Sequence, residues 1–213
     1  MKPVLVVATS NAGKIKELRR LLRGLGIRID WLGSGHFAPM PPPHEGGKDF
    51  LENACRKAAG YSRRLRMHVF SEDSGLCVTA LDEFPGVRSA RFLGAGKNDQ
   101  ERCRRLLQML TSYRRSRERK AWFEAAGAIA DPEGRIVWTD RGRCWGWISY
   151  EAHGSNGFGY DPIFYFPPLK MTFAELTAVE KNRVSHRAQL ISKLHRFLIH
   201  WPSEIRGRLG ESP

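Results

Sequence analysis

Cysteine is sparse. The four residues Cys55, Cys77, Cys103 and Cys144 are too far apart for any C-x-x-C pair, so the spacing offers neither a zinc site nor a dithiol redox motif, and reduced, buried thiols are expected. Long apolar runs are also missing. No stretch approaches the roughly 18 apolar residues of a membrane span, and the run Val4 to Ala8 is too short for a signal-peptide core. A cytoplasmic protein with no membrane partner is the expectation. Acid is scarce beside base: 22 Asp and Glu against 35 Lys and Arg leave a net charge of +13. The charge suggests an anionic partner but does not separate nucleic acid from a phosphorylated small molecule or an acidic surface. With 41% apolar and 10% aromatic residues in a 213-residue chain, collagen, a low-complexity polymer and a wholly disordered chain are excluded. A chain this long can bury a core without disulfides.

What is present alternates between strand and helix patterns. Val4 to Thr9 is a β-branched run that reads as a strand buried on both faces. Ile15, Leu18, Leu22 and Leu25 then make one helical stripe that Gly24 and Gly26 terminate. Residues 27–32 read as a second strand. After the stiff Pro41, Pro42, Pro43 segment, Asp49 and Glu52 form a D-x-x-E capping box opening a helix to about Leu65. Residues 69–80 read as a strand interrupted by Glu72, Asp73, Ser74 and Gly75, and 98–110 as a helix ended by a basic run. A hairpin is expected over 122–130 and 135–148, a last amphipathic helix over 182–200, and a tail from 201 to 213. The fold class is α/β, a long twisted mixed sheet flanked by helices, with residues 1–200 as a single domain.

Four segments carry chemistry. Thr9, Ser10, Asn11, Ala12, Gly13 and Lys14 lie where a strand gives way to a helix, a place where backbone N–H groups and the helix dipole suit phosphate. The segment is not a Walker loop, lacking its first glycine and having Ile15 where the metal-binding hydroxyl would stand; a plain helix cap by Ser10 or Asn11 reads it equally well. Glu72 and Asp73 are adjacent acids inside an apolar strand, expensive to desolvate unless they hold a cation, with Mg²⁺ the natural one, or else an exposed acidic turn. Glu45 could add a third carboxylate. In Asn156 to Pro162, small residues would let the backbone approach a ligand while Phe158 and Tyr160 offer flat faces to a base, or the same residues form a tight turn with core aromatics. Lys181, Ser185, His186 and Arg187 add cations and a titratable ring, or make an ordinary basic helix start.

In this order the segments resemble one family, the inosine/xanthosine triphosphate pyrophosphatases, from Val4 to about Leu194. The marks are T-S-N-A-G-K at 9–14, F-L-E-N-A at 50–54, E-D-S-G-L at 72–76, P-G-V-R-S-A-R-F at 85–92, G-F-G-Y-D-P-I-F at 157–164 and S-H-R-A-Q at 185–189. The resemblance implies two lobes with a central cleft, a homodimer, and one or more Mg²⁺ per subunit. It implies hydrolysis of deaminated purine nucleoside triphosphates to monophosphate and pyrophosphate. Thr9 to Lys14 would cradle the triphosphate, with Lys57, Arg91 and Lys181 as further positive contacts. Asp73 would be general base and metal ligand, helped by Glu72 and Glu45, and Ser74 would touch substrate. Phe158, Gly159, Tyr160 and Asp161, with His186 and Arg187, would line the base pocket. Glu72 stands where many bacterial members have a second Asp. Two rival readings remain. One is a septum-inhibitor-like pyrophosphatase acting on pyrimidine or modified nucleotides. The other is a basic nucleic-acid-binding protein using Arg102, Arg104, Arg105, Arg114, Arg115, Arg117, Arg119 and Lys120; a solvated basic face explains that run more simply, leaving only non-specific adhesion to nucleic acid.

Overall fold

A computed structural model describes residues 4–43, 46–94, 98–199 and 201. Strand β1 (Val4–Ala8) runs into helix α1 (Ala12–Leu21), which returns the chain to β2 (Arg28–Trp31). Helix α2 (Phe50–Leu65) follows, its stripe of Phe50, Ala54, Ala58 and Tyr61 buried as the spacing requires. Asp49 caps it by accepting from Glu52 N, but the Glu52 carboxylate reaches back to Lys48 N rather than to the cap residue, so the expected box closes one residue early. Strand β3 (Val69–Val78) and helix α3 (Asp99–Met109) lead to β4 (Lys120–Ala130) and β5 (Ile136–Ile148), joined by a turn in which Gly134 N donates to Asp131 O. Short strands β6 (Phe164–Phe166) and β7 (Met171–Thr172) precede helices α4 (Ala178–Val184) and α5 (His186–Ile199).

The seven strands form one sheet in the order β2-β1-β3-β4-β5-β6-β7. β1 pairs parallel with both β2 and β3, whereas β5 with β6 and β6 with β7 are antiparallel, which makes the sheet mixed, as expected. The chain divides into two compact units. The first holds the residues up to Asp73 with Ala125–Arg141 and those from Gln189 on; the second holds Ser74–Glu124 and Gly142–Ala188. The first is built around Leu5, Val7, Leu18, Phe70, Ile129 and Leu190, the second around Leu76, Leu106, Phe123, Ile148, Phe164 and Phe173.

Three sequence expectations need correction. β3 is continuous through Glu72 to Gly75; the acids do not break it, because cationic side chains meet them, as described below. Gly75 keeps the strand passable, since a Cβ there would lie 2.4 Å from Ser89 Oγ, which itself accepts from Leu76 N. The last helix is two helices. Ser185 (φ −70°, ψ 157°) is extended, closes α4, and caps α5 by accepting from Ala188 N. The basic run is partly structural. Arg119 is buried, and its guanidinium donates to the carbonyls of Leu110, Tyr113, Ile148 and Ser149. Of the segment expected as a tail, Trp201 is buried, edge-on to His68 and packed on Phe197; residues 202–213 lie outside the described residues. No helix among the described residues is long and apolar enough to cross a membrane.

Candidate active site

In the first unit, two acids meet two lysines. β1 stops at Ala8, and Ser10, Asn11 and Ala12 are exposed where α1 begins. The Asn11 side chain accepts from Lys14 N at 3.0 Å and so serves as the helix cap, while its own N–H donates to Thr9 Oγ1. The backbone N–H groups of the first turn remain the feature that suits an anion. Lys14, in that turn, is the wrong sign for the helix dipole, and its burial has another cause. Its Nζ lies 3.6 Å from Glu72 Oε1 and 3.9 Å from Asp73 Oδ1. Glu72 is 1% exposed, a burial that an ionised carboxylate tolerates only beside a counter-charge.

Helix α2 supplies the remaining partners from one face. Lys57 Nζ donates to Glu72 O at 2.9 Å and to Asp73 Oδ1 at 3.3 Å, and one turn earlier Asn53 Nδ2 donates to Asp73 Oδ2 at 3.0 Å. Asp73 therefore has a donor at each oxygen. Glu45 lies outside the described residues, and among the described residues no three His, Cys, Asp or Glu side chains are grouped as a metal cage would need. Glu72 and Asp73 nonetheless suit a hard divalent cation. Both are oxygen donors, and both already come within 4 Å of the single Lys14 ammonium, so one small ion can be shared between them.

In the second unit, a glycine-flanked loop presents an aromatic ring to two cations. Gly157 (φ +78°) and Gly159 (φ +65°) are left-handed on either side of Phe158. At Gly157 a Cβ would stand 2.0 Å from Asp161 Oδ2, so only glycine fits. That same oxygen accepts from Phe158 N and pairs with buried Lys181. Lys181 Nζ lies 5.1 Å and Arg187 Cζ 5.7 Å from the centre of the Phe158 ring. Arg187, 1% exposed, also donates to Ser74 Oγ at 2.9 Å. The helix break at Ser185 is what starts α5 at His186 and sets Arg187 in its first turn.

Of the expected base-pocket residues, Phe158, Gly159, Asp161 and Arg187 gather here, together with Lys181, which was expected as a triphosphate contact but pairs with Asp161 beside the Phe158 ring, whereas Tyr160 and His186 point into packing. Tyr160 is buried, its hydroxyl donates to Ser89 O, and burial pushes its phenol above the usual range. His186 stacks on Phe123 at 4.9 Å between ring centres. Arg91 lies on the exposed turn beside Arg88, lining a cavity of about 410 Å³ with Phe84, Phe92 and Leu93. Asn53 was given no role by sequence reasoning. The available signal was a polar residue four positions before Lys57, on a stripe otherwise made of alanine and aromatic residues.

The sequence pattern of the Ham1 family matches residues 5–197. A protein of Desulfotalea psychrophila named dITP/XTP pyrophosphatase is 43% identical over 91% of this chain and 84% of its own. One of Synechocystis with the same name is 42% identical over 94% and 96%. Among solved structures, a Ham1 protein from Coxiella burnetii superposes with a TM-score of 0.83 at 36% identity, covering 92% of this chain and 98% of that one. A nucleoside-triphosphatase, dITP/XTP pyrophosphatase, from Mycobacterium abscessus gives 0.72 at 37%, covering 90% and 98%. With the family pattern matched over residues 5–197 and relatives more than 40% identical over nearly its whole length, the chain belongs to the Ham1 family.

Proposed function

We propose that this protein hydrolyses deaminated purine nucleoside triphosphates, dITP/ITP and XTP/dXTP, between the α- and β-phosphates, releasing the monophosphate and pyrophosphate and so clearing the nucleotide pool. The observation that carries the reading is the Glu72–Asp73 pair met by Lys14 and Lys57 at the end of a phosphate-suited strand-to-helix turn. The names of the relatives above supply the substrate class. In this reading the α1 N–H groups and Lys14 hold phosphate oxygens, Lys57 holds Asp73 in place, and Asp73 takes the proton of the attacking water. Glu72 and Asp73 hold Mg²⁺, with Glu45 as the third expected carboxylate. The ion, when bound, neutralises phosphate charge and acidifies water.

Lys181 and Arg187 carry only donors. Placed beside the Phe158 ring, they suit a 6-oxo purine and leave the 6-amino group of adenine facing a donor, at a cost of about 1–3 kcal/mol per unpaired buried group. The resemblance further supports a cytoplasmic homodimer and a contribution from Arg91 to the triphosphate. Pyrophosphate release from ITP, XTP, dTTP and UTP with Mg²⁺ is the test. Turnover of ITP and XTP over the pyrimidines is expected, and preference for dTTP or UTP would overturn the substrate assignment in favour of the septum-inhibitor-like reading.

A further inference from the structure

We propose that Asn53 is a positioning residue for the general base, tying Asp73 to the backbone of the loop that precedes α2. The proposal rests on the reading of Asp73 given above. Asn53 is fully buried, 0% exposed, and both ends of its amide are used. Its Oδ1 accepts from Gly47 N at 2.8 Å. A backbone N–H can only donate, so this bond fixes which way the amide lies and leaves Nδ2 as the atom facing Asp73 Oδ2 at 3.0 Å. The orientation of the donor is thus set by the main chain.

Asn53 and Lys57 are four residues apart on α2 and take opposite oxygens of one carboxylate, Oδ2 and Oδ1. A carboxylate gripped at both oxygens cannot rotate about its Cβ–Cγ bond, so its remaining lone pairs keep one direction. The two grips differ in kind. Lys57 brings charge and also serves Glu72 O; Asn53 is neutral and contributes direction alone. The loop side is equally constrained. A Cβ on Gly47 would lie 2.6 Å from Asn53 Oδ1 and 2.9 Å from Asn53 N, closer than side chains approach, so glycine at 47 is what lets the amide reach its backbone partner.

The experiment compares Asn53→Asp, Asn53→Leu and Gly47→Ala with the wild-type chain, each at a temperature where circular dichroism shows it fully folded. Two quantities are read: kcat with Mg²⁺ and ITP, and Kd for the ITP analogue carrying an NH bridge between the α- and β-phosphates. Asn53→Asp keeps an acceptor for Gly47 N and removes the donor to Asp73; Gly47→Ala keeps Asn53 and displaces it. The expected result is a fall in kcat of about 100-fold for the Asn53 variants, the loss a misaligned reacting group commonly brings, a smaller fall for Gly47→Ala, and Kd within about threefold throughout. If Asn53 does not fold when substituted, Gly47→Ala carries the comparison. Unchanged kcat in a folded variant, or Kd weakening in step with kcat, overturns the proposal. Asp73→Asn measured alongside separates the two layers. Near wild-type kcat there removes Asp73 from the base role, whereas an inactive Asp73→Asn beside fully active Asn53 variants sinks the positioning role alone.

Discussion

Arg187 donates to the Ser74 hydroxyl at 2.9 Å, so the first turn of α5 is fastened to the residue that directly follows the acid pair on β3. The same guanidinium lies 5.7 Å from the Phe158 ring centre. Lysine can replace the charge but not the planar fork that serves both neighbours. Arg187→Lys is therefore expected to raise KM for ITP about tenfold while leaving inhibition by tripolyphosphate, which has no base, unchanged. Steady-state kinetics with both compounds checks it. Equal weakening for both would assign Arg187 to the phosphates instead.

Lys14 serves the buried Glu72 and, in the proposed reading, the triphosphate. Lys14→Ala should weaken triphosphate binding by about tenfold or more, the scale of one lost charge-assisted hydrogen bond, and leave inosine binding nearly untouched. Calorimetric titration with each ligand decides. Because Glu72 loses a counter-charge in the protein interior, a lowered melting midpoint is expected in the same variant.

Three thiols are hidden. Burial pushes Cys77, Cys103 and Cys144 up to about 12, well above an ordinary thiol. Since the folded protein favours the protonated form, the associated stability is fully present below the ordinary thiol value near 9, and is lost as pH climbs from there towards 12. Native protein at pH 8 is expected to react with a disulfide reagent at Cys55 far faster than at the other three, and all four should react in guanidinium. Rapid labelling of Cys103 in folded protein would contradict this.

The fold was largely legible because its signals are local. β-branched runs, helical stripes and the Asp131 to Gly134 turn mark elements without help from distant residues. Adjacency in space was not legible. Nothing in a strand pattern says that Glu72 and Asp73 will find Lys14 and Lys57, so their strand read as interrupted; the pairing that keeps it continuous comes from helices elsewhere in the chain. The F-G-Y string offers two aromatic rings, and period alone does not say that Tyr160 turns inward to Ser89 O while Phe158 stays at the cations. Ser185 was invisible as a helix break for a similar reason. Serine is tolerated inside helices, and its role as a cap appears only once its hydroxyl is seen accepting from Ala188 N.

Arg119→Met is expected to cost at least about 3 kcal/mol, since it strands several buried carbonyls, whereas Arg117→Met at the surface should stay within about 0.5 kcal/mol. Urea titration of both variants tests the contrast, and similar midpoints would refute it.

Arg119 also bears on how the chain's excess of base is to be probed. Neutralising the whole arginine run at once would pull out a keystone together with decoration, and the resulting collapse would mimic the disappearance of an affinity for polyanions. Resurfacing that spares position 119 separates adhesion from architecture, and leaves a less cationic protein that still folds.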